Sequence, residues 1–451
     1  MTPDLQLARL GLFDAKVPRY TSYPTAPRFN REVGGGHFAR WIGEIAPGAA
    51  ISLYVHVPFC RRLCWFCACR TQGTQSDAPV RAYLETLKAE IAMLKAHLPE
   101  GVHLSRLHWG GGTPTLLAPD MMTELAEAIR ALAPFTEATE FSVEIDPGEI
   151  DGARLDALAA AGMNRASIGV QDFDPQIQAT IGRLQSYEIT RDAVAEIRAR
   201  GVKSLNADIL YGLPHQSKER ITESVQKLLS LTPDRVALYG YAHVPWMARR
   251  QQMIPTDALP SPQERLALFE TARRLFLWDN YDEIGIDHFA LRQDGLSIAA
   301  RKGLLRRNFQ GYTDDTAEVL VGIGASSISR FPQGYAQNAP ATGAHTAAIR
   351  AGRFSTARGH EFSHDDLLRG RMIEQLMCDF RIDIAEITAR FGVERDVVVA
   401  LLQRSFDAFP GMLELTDEGL AIPPEARPLT RMVARSLDAY EMDAEGHSSA
   451  I

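Results

Sequence analysis

Between about residues 50 and 241 the chain alternates short apolar runs with amphipathic stretches. The runs 51–57, 105–109, 140–145, 165–170, 204–210 and 235–241 read as strands, and the first is β-branched and aromatic, as strands prefer. After the first run, Val80, Tyr83, Leu84, Leu87, Ile91, Leu94 and Leu98 recur every three or four positions, which predicts a helix over 79–98 with one apolar face. Asp77 and Pro79 supply its start signals. A second helix is expected over 187–200, ending at Gly201. Six strand–helix units in series predict an α/β fold with a parallel sheet and right-handed crossovers. Such sheets bind ligands beyond the carboxyl ends of their strands, where each distinctive motif of this chain falls.

The flanking regions break this rhythm. Residues 1–35 read as an irregular arm, because Pro18, Pro24 and Pro27 interrupt any long helix and 18–25 looks extended. Gly34, Gly35 and Gly36 then give a flexible joint. Strand-like pieces recur at 283–289 and 319–329. After about residue 360 the alternation gives way to helical segments at 364–379, 383–391 and 394–408, a small hairpin within 412–422 turning at 416–419, and a last helix over 428–442. The expected organisation is an arm (1–35), a main α/β domain (36–360) and a smaller, mostly helical C-terminal domain (361–451), with no internal repeat or low-complexity tract.

Composition narrows the class. The 451 residues are enough to bury a large core without staples, and 45% apolar with 23% charged residues is the ordinary globular range. The net charge of −8 argues against a broad nucleic-acid or anionic-membrane surface but leaves room for a small basic pocket. No run approaches the ~20 apolar residues of a membrane helix. The first residues, with Asp4 and Asp14 and no small-residue cleavage pattern, do not read as a signal peptide, so the cytoplasm is the expected location. There are five cysteines, four of them between Cys60 and Cys69, a crowding that suits a metal or redox site rather than a secreted disulfide framework.

Cys60, Cys64 and Cys67 follow the first strand in a tight loop. Soft thiolates select zinc, copper(I) or iron–sulfur clusters. A structural zinc site takes four ligands, usually as two pairs, and no second pair exists, since Cys378 stands alone. Three close thiolates suit three corners of a [4Fe–4S] cube whose fourth iron stays open. Gly110, Gly111, Gly112 and Thr113 follow the second strand, where consecutive glycines let the backbone approach a ligand or form a plain turn. Glu144 ends the third strand. Gln171, Arg183 and Asp208 come from the next units; singly each reads as a surface or capping residue, but together they fall on one sheet edge. Tyr54 and His56, two apart on the first strand, share a face beside the cysteines.

The Cys-X3-Cys-X2-Cys spacing after the first strand resembles the radical S-adenosylmethionine (SAM) enzymes. A wider set of motifs, within 18–25, 54–69, 108–115, 144–147, 169–173, 208–214, 287–289, 308–312 and 324–328, is similar to the oxygen-independent coproporphyrinogen III oxidase family. That resemblance implies a partial (β/α)6-type radical SAM barrel with a smaller, mostly helical C-terminal domain. It implies one [4Fe–4S] cluster on Cys60, Cys64 and Cys67, and S-adenosyl-L-methionine, two per chain. The implied reaction is a 5′-deoxyadenosyl radical mechanism that oxidatively decarboxylates two propionates of coproporphyrinogen III to vinyl groups, giving protoporphyrinogen IX in haem biosynthesis.

The same resemblance implies residue roles. Gly111, Gly112 and Thr113 would meet the cofactor's methionine end, with Tyr54, Glu144 and Ile328 as further contacts to a first SAM. Phe66, Gln171, Arg183, Asp208 and Ala242 would hold a second. Tyr54, His56, Cys69, Glu144 and Gln310 would matter for activity. Cys69 is a fourth cysteine where related haem chaperones usually carry phenylalanine. A tetracarboxylate needs basic partners, for which Arg19, Arg61, Arg62, Arg70, Arg306 and Arg307 are candidates, and the arm would cover the opening as a lid. The implied partners are an electron donor such as flavodoxin or ferredoxin and an unknown electron acceptor, with a monomer as the family expectation and no nucleic acid or membrane. Three rival readings are a haem-binding chaperone-like relative without oxidase activity, a radical SAM enzyme on another porphyrinoid, and a zinc-stabilised binding protein.

Overall fold

The structure, a computed structural model, describes residues 3–441 and 449–451. Six parallel strands, Ala50–Val57, His103–Gly111, Phe135–Ile145, Arg165–Gln171, Ser204–Tyr211 and Arg235–Gly240, lie side by side in chain order. They correspond to the six apolar runs. Helices Ala78–His97, Pro119–Leu132, Gly152–Ala160, Tyr187–Ala199 and Lys218–Ser230 provide the crossovers.

Alternation along the strands sorts the two faces of this sheet. Leu53, Val55, Leu107, Trp109, Phe141, Val143, Ala166, Ile168, Leu205 and Ala207 are fully buried in one core with Leu84, Leu87 and Ile91 of the first crossover helix. The opposite parity is polar. Parallel register sets Tyr54 beside His108, His108 beside Ser142, Glu144 beside Ser167 and Gly169 beside Asp208. A one-residue slip would exchange the two sets, so burial of the apolar one fixes where the polar one points. Ion pairs join the polar face near the strand starts: Arg106 with Asp314 at 2.9 Å, Arg165 with Glu140 at 3.2 Å and Arg235 with Asp294 at 2.6 Å. Burial pushes the Glu140 carboxyl up, but the Arg165 and Arg106 guanidiniums outweigh it and hold the group down to about 2.

The sheet continues on both sides. Leu320–Ile323 adds a parallel strand to the outer edge of the first strand, followed by antiparallel Ile328–Phe331, Gly334–Asn338 and Thr356–Glu361. The single strand-like piece expected over 319–329 is therefore two strands, folded back at Gly324 with φ +90°. The piece over 283–289 splits likewise into Tyr281–Ile284 and His288–Leu291, turning at Gly285.

Asp77 is the N-cap residue of the first crossover helix, with Pro79 in its first turn; its side chain makes no cap hydrogen bond and pairs with Arg61 of the cysteine loop. Two further expectations need correction. The arm is not wholly irregular, since Pro3–Arg9 is helical, though residues 1 and 2 lie outside the described set. The last helix is shorter than 428–442: it runs Thr430–Leu437 after a 3-10 turn at Pro424–Leu429, and residue 442 lies outside the described residues.

Helices His364–Asp379, Ile384–Phe391 and Arg395–Ala408 carry the C-terminal region, with a small sheet whose turn is closed by Thr416 N–H donating to Gly419 O at 2.9 Å. Leu7, Leu12, Val17, Tyr20 and Tyr23 of the arm share one core with Met372, Leu376, Leu402 and Val433 of this region. Among the described residues no helix is long and apolar enough to cross a membrane.

One carboxyl group lies wholly inside the apolar layer. Glu90 of the first crossover helix is 1% exposed and accepts hydrogen bonds from Gly324 N (2.8 Å) and Asn338 Nδ2 (2.9 Å). Burial pushes it up from the ordinary 4.5 to about 7. A raised carboxyl favours the folded state below its unfolded value and loses that contribution as pH rises through about 7. Replacing Glu90 by Gln is expected to flatten the fall in melting temperature between about pH 5 and pH 8, read by a thermal melt at each pH.

Candidate active site

The cysteine loop leaves the first strand through Pro58 and returns as a strand, Gln72–Gly73, pairing with Phe59–Cys60. Thr74 N–H donates to Cys60 O (3.0 Å) and Gln72 N–H to Pro58 O (2.8 Å), which closes the loop. Its far side docks on the fourth unit: Trp65 N–H donates to Ile181 O (2.9 Å), and the indole covers Gly182 so closely that a Cβ there would lie 2.9 Å from the ring. Inside the loop, Cys67 N–H donates to Cys64 O (3.3 Å) and Cys69 N–H to Cys67 Sγ (3.4 Å). The neighbouring Cys69 lowers the Cys67 thiol, while Cys67 and burial raise that of Cys69. Burial pushes the Cys60 thiol up to about 11.

The glycine turn lies directly against this loop. Gly112 N–H donates to Val57 O and Thr113 N–H to Phe59 O, both at 2.8 Å. Each glycine is required by a different neighbour. A Cβ on Gly110 would fall 2.6 Å from Glu144 Oε1, one on Gly111 2.6 Å from the His56 ring, and one on Gly112 2.5 Å from Phe59 O and 3.0 Å from Cys60 Sγ. Gly111 also has φ +115°, which side chains disfavour. This turn has more constraints than a plain connection needs.

Above it stands a polar cluster from the first three strands. Tyr54 OH and His56 Nδ1 are 3.0 Å apart, and the Tyr54 ring stacks on His108 with centroids 5.7 Å apart. His108 Nε2 meets Glu144 Oε1 at 3.2 Å, and Gly111 N–H donates to Glu144 Oε2 at 3.0 Å. Burial pushes Glu144 up, but these two contacts outweigh it and hold the carboxyl below its ordinary range. Burial lowers His56 and raises Tyr54, so both are neutral at physiological pH.

The fourth and fifth strands bring a second constellation. The register slips by one residue between Gly169 and Gln171, and Gln171 takes φ +68°. That bulge turns the Gln171 amide back over Gly169, beside Arg183. Arg183 donates to Gly169 O (3.0 Å), pairs with Asp146 (3.2 Å) and reaches Cys64 Sγ (3.7 Å). Asp208 accepts from Asn206 Nδ2 (2.8 Å), yet burial pushes its carboxyl up to about 7. Phe66 and Ala242, far apart in sequence, are tied by one buried side chain: Gln251 Nε2 donates to Phe66 O (2.8 Å) and to Ala242 O (3.0 Å).

Two expected positions come from later elements of the chain. Gln310 is exposed at the turn between Arg306–Asn308 and Gly311–Thr313, with its own N–H on Asn308 Oδ1 (2.8 Å), and Ile328 opens its strand. The arginines divide as well. Arg61 is taken by Asp77, Arg62 donates to Leu184 O (3.3 Å), Arg306 to its neighbour Leu305 O (3.0 Å), and Arg70 is exposed. Arg19 reaches Gly240 O at the end of the sixth strand (3.0 Å), and Arg307 lies 3.6 Å from Asp287. Both line a cavity of about 320 Å³ between helix Pro262–Trp278 and the C-terminal region, which touches the end of the sixth strand at Gly240 and the following loop at Ala242.

Sequence reasoning did not single out His108, Asn206 or Gln251. His108 had a usable signal, its parity with Tyr54 and Glu144 on neighbouring strands. Gln251 sits in an irregular segment and had none.

Three soft donors on one short loop, pressed against a turn whose third glycine must lack a side chain beside Cys60 Sγ, fit a [4Fe–4S] cluster with an open corner. Such a site on a parallel α/β sheet defines a radical SAM protein, and the profile of the radical SAM superfamily matches residues 54–228. That class brings a [4Fe–4S] cluster and SAM. The HemN C-terminal domain profile matches residues 362–429. Over 451 residues, all of both chains, the sequence is 67% identical to the oxygen-independent coproporphyrinogen III oxidase of Paracoccus denitrificans. It is 36% identical over 444 residues to that of Escherichia coli, covering 97% of this chain and 96% of the relative. The solved structure titled "Coproporphyrinogen III oxidase (HemN) from Escherichia coli is a Radical SAM enzyme" superimposes with TM-score 0.90 at 34% identity, covering 95% of this chain and all of that one. The chain therefore belongs to the oxygen-independent coproporphyrinogen III oxidase family.

A methyl group at position 112 tests the docking of turn and loop. Gly112→Ala is expected to lower iron bound per chain several-fold after anaerobic reconstitution, measured by iron and sulfide analysis, while the far-ultraviolet circular dichroism spectrum is kept.

Proposed function

We propose that the chain converts coproporphyrinogen III to protoporphyrinogen IX without oxygen, through oxidative decarboxylation of two propionates. The observation that carries this is the cysteine loop locked onto the glycine turn beneath Tyr54, His56, His108 and Glu144, in a chain similar over its whole length to enzymes named for that substrate. Cys60, Cys64 and Cys67 hold the cluster. When bound, the cluster and SAM supply an electron and a 5′-deoxyadenosyl radical that removes a hydrogen atom from a propionate β-carbon. The substrate then loses carbon dioxide and one electron, leaving a vinyl group; an acceptor takes the electron, and a flavodoxin or ferredoxin supplies the one consumed.

The chain's own groups do the rest. Gly111, Gly112 and Thr113 offer backbone to the methionine end of a first SAM, with Tyr54, Glu144 and Ile328 around it. Glu144 stays ionised and accepts from a polar donor of that cofactor. Tyr54 and His56, neutral and hydrogen-bonded to each other, present no charge to the reacting centre. Phe66, Gln171, Arg183, Asp208 and Ala242 hold a second SAM, Arg183 facing its carboxylate and Asp208 its ribose hydroxyls. Cys69 keeps its thiol proton beside the cluster loop, and Gln310 contributes to activity from its exposed turn. Arg19 and Arg307 receive substrate carboxylates, and the arm that carries Arg19 covers the opening.

Two outcomes check this reading. Anaerobically reconstituted protein given coproporphyrinogen III, SAM and a reductant is expected to release vinyl-bearing product, and Cys64→Ser to lose both cluster absorption and turnover; turnover retained in that variant contradicts it. Asp208, poised near 7, accepts hydrogen bonds best as a carboxylate, so affinity for SAM is expected to rise with pH through about 7 and to be flat with pH in Asp208→Asn, read by calorimetric titration.

A further inference from the structure

Arg183 sits where the cysteine loop meets the fourth parallel strand. Its Nη1 is 3.7 Å from Cys64 Sγ and 3.2 Å from Asp146 Oδ2, and its Nη2 donates to Gly169 O at 3.0 Å. The side chain is 12% exposed. Asp146 and the Gly169 carbonyl engage its two terminal nitrogens while its buried Nε has no partner among the described residues, so the arginine is anchored from Nη1 and Nη2 independently of the contact with sulfur. The loop is held to the same place by backbone, through the Trp65 N–H on Ile181 O at 2.9 Å, so Cys64 stays within reach of the guanidinium.

We propose that Arg183 raises the reduction potential of the cluster by donating an N–H to the Cys64 sulfur, with Asp146 as the opposing charge. The inference rests on the cluster reading given above. A [4Fe–4S] cluster is one unit more negative when reduced, so a fixed positive charge at a ligand sulfur stabilises the reduced state more than the oxidised one. Hydrogen bonds to ligand sulfurs act in the same direction, as outer-shell contacts that tune a metal site. Asp146, bound to the same guanidinium nitrogen, cancels part of the effect. The two partners of one ion pair therefore push the potential in opposite directions. A purely structural pair would not: removing either partner would loosen the loop in the same way.

The test is an anaerobic redox titration, followed by electron paramagnetic resonance, of reconstituted wild type, Arg183→Met, Arg183→Lys and Asp146→Asn, with iron per chain measured on each. Equal iron content is expected, with the midpoint lowered in Arg183→Met, raised in Asp146→Asn and nearest wild type in Arg183→Lys. A tenfold drop in the ratio of reduced to oxidised cluster at fixed potential corresponds to about 59 mV for one electron. Midpoints equal to wild type in both Arg183→Met and Asp146→Asn, or shifted the same way in both, would overturn the inference. Should Arg183→Met fail to bind iron, Arg183→Gln and Asp146→Asn decide: opposite shifts uphold it, and shifts of one sign or none overturn it. Wild-type protein that takes up no cluster would instead overturn the reading beneath, and the inference with it.

Discussion

Two backbone hydrogen bonds join the segment after the first strand to the turn after the second: Gly112 N–H on Val57 O and Thr113 N–H on Phe59 O. They press a bare glycine against Cys60 Sγ, and they do so because neighbouring parallel strands end at the same level, with Val57 opposite Gly111. The loop that carries Cys64 and Cys67 is then spread from this anchor to the fourth unit, where Trp65 seats on Gly182. Residues around the cysteine loop depend on that anchor. Glu144 reaches Gly111 N–H only with the turn in place, and Arg183 meets Cys64 only with the loop extended across the sheet edge.

The sheet supplies the environment. One parity of each strand is spent on the apolar layer beneath the helices, and the other collects tyrosine, histidine, carboxylates and arginine on one face. The ion pairs at the strand starts neutralise the charge there and leave the groups at the carboxyl ends to be set by local contacts. Glu144 and Asp208 show the result. Both are carboxylates on the polar face of the sheet, yet His108 and a backbone N–H keep the first ionised while burial holds the second near 7 with a neutral amide for company.

Much of this was legible in the chain. Apolar runs gave all six central strands within a few residues, because a strand buried under helices must carry an uninterrupted apolar parity. The cysteine spacing and the glycines were legible because they are local. What escaped is non-local or irregular. Gln251 joins Phe66 to Ala242 across nearly two hundred residues from a segment with no periodicity. The bulge that aims Gln171 depends on a register visible only once the fourth and fifth strands pair. The 319–329 run looked continuous because β-branched and apolar residues flank its turn, and Gly324 alone marks the reversal.

The central claim is a cluster held by Cys60, Cys64 and Cys67 with one iron left for SAM. Electron paramagnetic resonance of the reduced, reconstituted protein tests it most directly. The account predicts a signal from a reduced [4Fe–4S] cluster whose g-values move when SAM is added, and which is lost on changing any of those three cysteines to serine but survives in Cys69→Ser. A signal indifferent to SAM, or one that vanishes with Cys69, would contradict it.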